Sequence, residues 1–485
     1  MKQNLGVNMV IYNELIKEAE KHFSKESLQL IKKAYIVAED LHCGQKRKSG
    51  EPYIIHPLYV AYIILTEIKF YDIKVIIAAI LHDSIEDTGI TKEYLAKLFS
   101  EEVADLVEGV TNVSDSRMGS KKAQDQYDIQ KVLFRVLKDF RIAIIKMADR
   151  LHNMRTLEYT KPEKQRNKAA ETLSVYCPIA LHLGANHINN ELIDLSFKYL
   201  CASREEQILP ASESNYETTK SLRSEYIENN QAKIENIEQE LRELLRNNGL
   251  KGKVRGCAKS TFGIYQKLSE YRNISDIPNL ISFEIETDSR DDCYKITELI
   301  KRKYGTLEEY TKDYIAKPDP NGYQALHFSS KTCLESPCRF KVFSKSMGEV
   351  NKYGVVATYN HLSNPSIDTF QAKLRESNSF IRALDTNYNF SSNPFDYIEK
   401  TVRNLVKNTI TVFDGTGKAH VLPNYSTVFD FVCDVTGGLS LDASGATVNG
   451  TLVNLEFPLR TGDIIDILKI NSELNPKLTL ENGLS

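Results

Sequence analysis

At 485 residues the chain is long enough for about three domains. Hydrophobic residues make up 41% and charged residues 26%, with 23 Gly and 14 Pro, which excludes collagen-like and low-complexity disordered classes. A net charge of −3 excludes a chain that is basic throughout and grips nucleic acid by charge alone, and no DNA contact is expected.

The longest apolar run, residues 75–81, falls far short of the roughly 20 residues that a bilayer span needs. The N-terminus lacks both a long apolar core and a small-residue cleavage site, so no signal peptide is expected. The eight cysteines are scattered, and the closest pair, Cys333 and Cys338, has no second pair to complete a zinc site. These features predict a cytoplasmic, reduced protein without membrane contact.

From residue 25 to 200 apolar residues recur every three or four positions, which predicts an all-helical domain. Arg47, Lys48 and Ser49 set two cations and a hydroxyl in a turn ahead of His56. A helix over 74–88 would put His82 and Glu86, and likewise Asp83 and Asp87, one turn apart, with Gly89 ending it. Three carboxylates would then crowd a helix C-terminus, where the macrodipole opposes each by about 0.3–1 kcal/mol and a bound cation would reverse the sign. In a second helix Asp149, Asn153 and Thr156 extend an apolar stripe begun by Ile142 and Ile145. The pattern points to a cation held by His56, His82, Asp83 and Asp149, with Glu86 and Asp87 handling a water. Mixed imidazole and carboxylate ligands suit Mn²⁺, Fe²⁺ or Zn²⁺ better than Ca²⁺.

Residues 201–249 form a highly charged helical linker with a thin apolar stripe. From 250 to 375 short β-branched runs alternate with helical stretches, which predicts an α+β domain. Residues 376–407 are a connector. From 408 to 470 short runs at 409–413, 415–418, 446–449 and 464–468, set among turn signals, predict a small α+β unit, and 471–485 is a tail.

The stretches 42–57, 81–88, 109–111, 145–157, 171–173 and 180–195 resemble, in order, the HD-type hydrolase domain of the RelA/SpoT homologue family, the long alarmone enzymes. The resemblance implies Mn²⁺-dependent hydrolysis of guanosine 3′,5′-bis(diphosphate), and the pentaphosphate, to GDP or GTP plus pyrophosphate, which lowers alarmone in the stringent response. Carried over by position, it makes His56, His82, Asp83 and Asp149 the metal ligands and gives water activation to Glu86 and Asp87. Arg47 would pack on the guanine, Lys48 and Ser49 would meet phosphate, and Asn153 and Thr156 would hold the nucleoside. Gln130-Lys131-Val132 departs from the family's Arg-Lys-Met.

Residues 259–267, 312–318 and 321–327 resemble the family's nucleotidyltransferase-like synthetase domain. Asp276 keeps a carboxylate for Mg²⁺, but Arg339 stands where the catalytic glutamate belongs, and a guanidinium cannot accept a proton. Ile281 and Cys257 replace family arginines, and Thr358-Tyr359 replaces His-Trp. The expectation is a degenerate domain without synthesis, in which Lys259, Lys312, Tyr323 and His327 either bind a nucleotide or serve as scaffold. Residues 408–470 resemble a TGS domain of β-grasp type, with Thr436 in place of the histidine that meets tRNA on the ribosome. A packing or interaction module is expected there ahead of an RNA contact, and no further regulatory domain is expected beyond it. The competing readings are a bifunctional synthetase/hydrolase and a non-enzymatic nucleotide sensor or ribosome-associated regulator.

Overall fold

The structure, a computed structural model, describes residues 2–111, 135–201, 216–377 and 409–469, short interruptions excepted. The sequence features at Gln130, Lys131 and Val132, in most of the connector and in the tail lie outside the described residues. The chain divides into two units, the second formed by the C-terminal sheet and its surroundings.

In the first unit the helix Ile73–Leu81 starts at Asp72, whose carboxylate accepts from the Lys74 amide at 2.8 Å. Val75 through Leu81 are all buried, because a helix that is apolar on every side must be enclosed by others. Lys25–Leu41, Ile55–Ile63 and Glu101–Val110 enclose it, and Arg141–Arg155 packs on the last two. A Cβ on Gly109 would stand 2.6 Å from the Ile142 side chain, so a larger residue there would push that side chain aside.

The single helix predicted over 74–88 is instead two. The first ends at Leu81, the chain turns at His82 and Asp83, and Ser84–Thr88 follows, closing on Gly89 at φ 72°. The cause is local: the His82 ring nitrogen Nδ1 takes the Ala79 carbonyl at 2.9 Å, one of the acceptors that a helix end leaves open. Glu86 and Asp87 therefore sit in the first turn of the second helix. The expected crowding of three carboxylates at one long helix's C-terminus does not occur.

Five strands form the next layer: β1 Gly252–Ala258, β2 Ile281–Thr287, β3 Leu307–Asp313, β4 Leu326–Ser330 and β5 Cys338–Ser344. Their order is β1-β2-β5-β4-β3, with β2 and β5 parallel and the other pairs antiparallel. One face of β2 and β5 (Phe283, Ile285, Phe340, Val342) is buried in a core shared with the apolar stripe of Tyr216–Asn247. Ile234, Ile237, Leu241 and Leu245 make that stripe. The other face is polar and half-buried.

The helical domain and this sheet domain meet backbone to backbone. The Val355 amide donates to the Leu183 carbonyl at 2.9 Å, and a Cβ on Gly354 (φ 57°) would fall 1.9 Å from that same oxygen. The Asp194 carboxylate accepts from the Thr261 and Phe262 amides at 3.2 and 3.0 Å, capping the helix Thr261–Leu268. Tyr359, one of the residues replacing the family's His-Trp, packs against Phe70, Phe140 and Phe370 at this junction.

The second unit is a five-stranded sheet: β6 Thr409–Asp414, β7 Ala419–Pro423, β8 Ala443–Val448, β9 Thr451–Val453 and β10 Ile464–Lys469. The order is β7-β6-β10-β8-β9, with β6 and β10 parallel at its centre. The helix Val428–Thr436 contributes Phe431 and Val432 to the core, and Thr436 is its last residue. Residues 415–418 are a turn, held by Asp414, which accepts from the Thr416 and Lys418 amides at 2.9 and 3.0 Å.

Candidate metal centre

His56 lies in the first turn of Ile55–Ile63, His82 and Asp83 at the break after Leu81, and Asp149 in the middle of Arg141–Arg155. One ligand atom each from His56, His82 and Asp149 falls within 4.8 Å of the others, the one such group of three or more among the described residues. His56 Nε2 stands 3.2 Å from Asp149 Oδ1 and 3.7 Å from Asp83 Oδ2. His82 Nε2 stands 3.1 Å from Asp83 Oδ1 and 3.9 Å from Asp149 Oδ1. Tyr53 donates its hydroxyl to Asp83 Oδ2 at 2.7 Å, and Lys146 Nζ lies 4.0 Å from the outer oxygen of Asp149.

The proton positions decide whether this group fits a cation. Arg47 Nη1 is 3.2 Å from His152 Nδ1, and a guanidinium only donates, so His152 Nδ1 is an acceptor. His56 Nδ1, 2.8 Å from the same atom, must then be the donor, which leaves His56 Nε2 with a bare lone pair. His82 donates from Nδ1 to Ala79, so Nε2 is the atom it turns toward Asp83 and Asp149. With both Nε2 atoms unprotonated, two buried lone pairs face two carboxylates. That arrangement is repulsive alone and favourable around a positive ion, so the donor set fits a divalent metal of the kind that accepts nitrogen and oxygen ligands.

Without an ion, charge is redistributed by protons. Burial works against a charged His82, but Asp83 and Asp149 outweigh it and push the imidazole up to about 9. Burial lowers His56. Burial and the neighbouring His56 and Arg47 push His152 down to about 2, which keeps it the neutral acceptor that the geometry requires. Burial raises Asp83 and Asp149, but the adjacent imidazoles, with Lys146 at Asp149, hold both well below the usual carboxylate range.

A cavity of about 490 Å³ opens above this centre, and every residue predicted from sequence to bind substrate borders it. Arg47 is pinned by Asn153 Oδ1 at 3.0 Å and Thr156 Oγ1 at 3.3 Å, besides His152. Asn153 donates in turn to Asp149 Oδ1 at 2.5 Å. Lys48 and Ser49 lie on the rim, the serine bonded to Glu51 at 3.1 Å. Asp83, Glu86 and Asp87 border the cavity and stand outside the three-residue metal group, but Asp83 alone of these lies against its imidazoles, at 3.1 and 3.7 Å.

The sequence reading missed Tyr53, Lys146 and His152 as working residues, along with the far wall made by Lys164, Lys168 and Tyr176. That wall is stiffened by Arg150, which lies 3.9 Å above the Tyr176 ring and pairs with Glu171 at 2.7 and 3.2 Å. Asp276 is exposed in a short 3-10 turn, accepts from Asn273 at 3.1 Å and belongs to no such metal group among the described residues.

His152 gives a test of this proton arrangement. His152→Phe keeps the ring that stacks on Tyr59 (5.0 Å between centroids) but removes the acceptor for His56 and Arg47. Metal affinity and nucleotide affinity should both fall, each by about 10–100-fold. His152→Asn, which restores an acceptor oxygen, should recover part of both, as read by metal titration and KM. Unchanged metal affinity in the phenylalanine variant would refute the assignment.

Residues 34–186 match the HD domain model, residues 256–364 the model of a region found in RelA / SpoT proteins, and residues 410–469 the TGS domain model. A GTP pyrophosphokinase from Myxococcus xanthus is 34% identical over 91% of this chain and 57% of its own length. A guanosine-3′,5′-bis(diphosphate) 3′-pyrophosphohydrolase from Vibrio cholerae is 32% identical over 95% of this chain and 63% of its own length. The chain therefore spans about six-tenths of these curated relatives. A solved metazoan ortholog of SpoT is 25% identical, covering 34% of this chain and 85% of that one, with a TM-score of 0.26.

Proposed function

The chain belongs to the RelA/SpoT family, and from that premise we propose that its helical domain hydrolyses guanosine 3′,5′-bis(diphosphate), and the pentaphosphate, to GDP or GTP and pyrophosphate. The observation that carries this reading is the pair of buried imidazole nitrogens turned toward Asp83 and Asp149 at the floor of a nucleotide-sized cavity. His56, His82, Asp83 and Asp149 hold one divalent ion, taken here to be Mn²⁺. A divalent ion in such a site supplies Lewis acidity toward phosphate oxygens and makes water a better nucleophile at neutral pH.

The chain's own groups do the rest. Arg47, its plane fixed by His152, Asn153 and Thr156, offers a flat face to the guanine. Lys48 and Ser49 meet phosphate at the rim, while Asn153 and Thr156 hold the nucleoside. Glu86 and Asp87 take the proton of the attacking water and orient it. A site that only sensed nucleotide would not need two such carboxylates, which favours an enzyme over the sensor reading. The reaction is placed in the cytoplasm, with the nucleotide as partner and no DNA or membrane. No described helix is long and apolar enough to cross a membrane.

The bifunctional reading rests on the relatives, one named as a pyrophosphokinase and one as a hydrolase. Against it stands Arg339, which lies on β5 between Ser282 and Ser329 where synthesis would require a proton acceptor. One assay tests both points. Alarmone with protein and Mn²⁺ should give GDP and pyrophosphate by nucleotide chromatography and nothing after chelation, whereas ATP plus GDP should give no alarmone. Turnover that survives exhaustive chelation would sink the hydrolase mechanism, and a 3′-pyrophosphorylated product confirmed by mass would sink the loss of synthesis.

A further inference from the structure

Lys146, Asp149, Asn153 and Thr156 all border the cavity, at intervals of three, four and three residues along one face of Arg141–Arg155 and its capping residue. Three of them have a part in the reaction proposed above, and Lys146 has none. Ile142 and Ile145 before it are buried, so Lys146 is where this face turns from apolar to polar. Its side chain is buried as well, at 5% exposure, and it ends in an ammonium with three donors.

Those donors are poorly matched within the protein. The carboxylate that pairs with Lys146 among the described residues is Asp149, whose Oδ2 stands 4.0 Å from Nζ, beyond hydrogen-bond distance. Other cations of the cavity are engaged: Arg47 by His152, Asn153 and Thr156, and Arg150 and Lys168 by Glu171. Holding an ion does not account for the lysine either. Asp149 turns Oδ1 to the imidazoles and Oδ2 to Lys146, so the ion's place and the ammonium flank one carboxylate. A divalent ion there balances the charges of Asp83 and Asp149, and the ammonium beside it is left over. Like charges repel strongly where water is scarce, and a buried charge is kept where a counter-charge arrives.

We propose that Lys146 is a further catalytic residue, whose ammonium holds the oxygens of the substrate's 3′-diphosphate while it departs. The inference rests on the reading of the helical domain as a 3′-pyrophosphohydrolase. In that reaction the water oxygen bonds to the phosphorus carried by the ribose 3′ oxygen, and the bond from that phosphorus to the 3′ oxygen breaks. The proton that water loses ends on the 3′ oxygen, and pyrophosphate leaves with the water oxygen. Charge shifts among the oxygens of the reacting phosphorus on the way, and a cation already in place meets it without reorganisation of solvent. Lys146 keeps its own proton throughout. A compact charge on a flexible stem can follow the moving phosphate oxygens, whereas Arg47 is pinned on three sides.

Lys146→Met, which keeps the length and helix propensity of the side chain and removes its charge, tests this in the metal-loaded chain. Its kcat on alarmone should fall by about 10²–10³, as on removal of one fixed donor to a reacting oxygen, with a smaller change in KM. Pyrophosphate, titrated calorimetrically into metal-loaded protein without excess metal, should bind at least about tenfold more weakly to the variant. GDP, which lacks a 3′-diphosphate, should bind both proteins alike, and elemental analysis should find the metal retained. Lys146→Arg restores a cation and should recover part of the rate and of the pyrophosphate affinity. A parent protein that leaves alarmone intact overturns the hydrolase reading, and the catalytic role with it. An active parent whose methionine variant keeps its kcat and its pyrophosphate affinity overturns the role of Lys146 alone. Loss of metal along with rate would make Lys146 a support of Asp149, which also overturns it. Thermal melts matching the parent exclude misfolding, and Lys146→Gln is the second neutral variant should the methionine fold poorly.

Discussion

Asp149→Ala, and separately Asp83→Ala, is expected to leave no pyrophosphate release above the rate without protein, together with loss of bound metal. Asp149 Oδ1 lies within 4 Å of both imidazoles, at 3.2 and 3.9 Å, so its removal takes the shared anionic corner out of the site. Asp83 supplies the other carboxylate and is held in place by Tyr53. The loss should exceed the roughly 10²–10⁴ that removing a proton-transfer group costs, because the ion itself leaves with the ligand. Elemental analysis of the purified variants and a chromatographic rate assay measure the two effects together. A variant that kept both its metal and a tenth of the parent rate would remove that residue from the ligand set. Melting curves guard against a trivial cause, and a folded variant is expected because the apolar core around Ile73–Leu81 is untouched.

What the sequence reveals of this centre follows from spacing. Asp149, Asn153 and Thr156 lie at helical intervals, and the structure brings all three to one cavity with Arg47 bridging the last two. The His82 pair was equally visible, but the break beside it was not. A helical pattern predicts continuity, and it does not show the local contact by which the His82 ring caps Ala79. His152 was hidden for a related reason: one residue before Asn153, it belongs by periodicity to another face, yet its ring reaches both Arg47 and His56. The charged row that Arg255, Glu284 and Lys341 make across the sheet was beyond reach, because it depends on register between strands up to 86 residues apart.

Glu86 and Asp87 are expected to act on the rate while leaving the metal in place. They lie in the short helix Ser84–Thr88 directly after Asp83, and both border the cavity, while the carboxylates against the imidazoles are those of Asp83 and Asp149. Asp87 is positioned by its backbone: its amide donates to Asp83 O at 2.9 Å, and its carbonyl accepts from Gln45 at 3.4 Å. Both side chains are largely exposed, so Glu86→Gln and Asp87→Asn should fold as the parent does. Each keeps the shape and the hydrogen-bonding oxygen of the original but cannot take a proton. Removing a group that accepts a proton from the attacking water costs about 10²–10⁴ in rate. The amide variants should therefore bind metal and alarmone at parent strength and turn the alarmone over about 10²–10⁴ times more slowly. Metal content, calorimetric alarmone binding and rate, measured on the same preparations, separate the possible roles. If either variant lost its metal along with its activity, that carboxylate would be a ligand and the coordination set would have to include it. If both retained near-parent rates, the water would have to be activated from another side, and Lys146, Tyr53 and the far wall of the cavity would be the groups to substitute next.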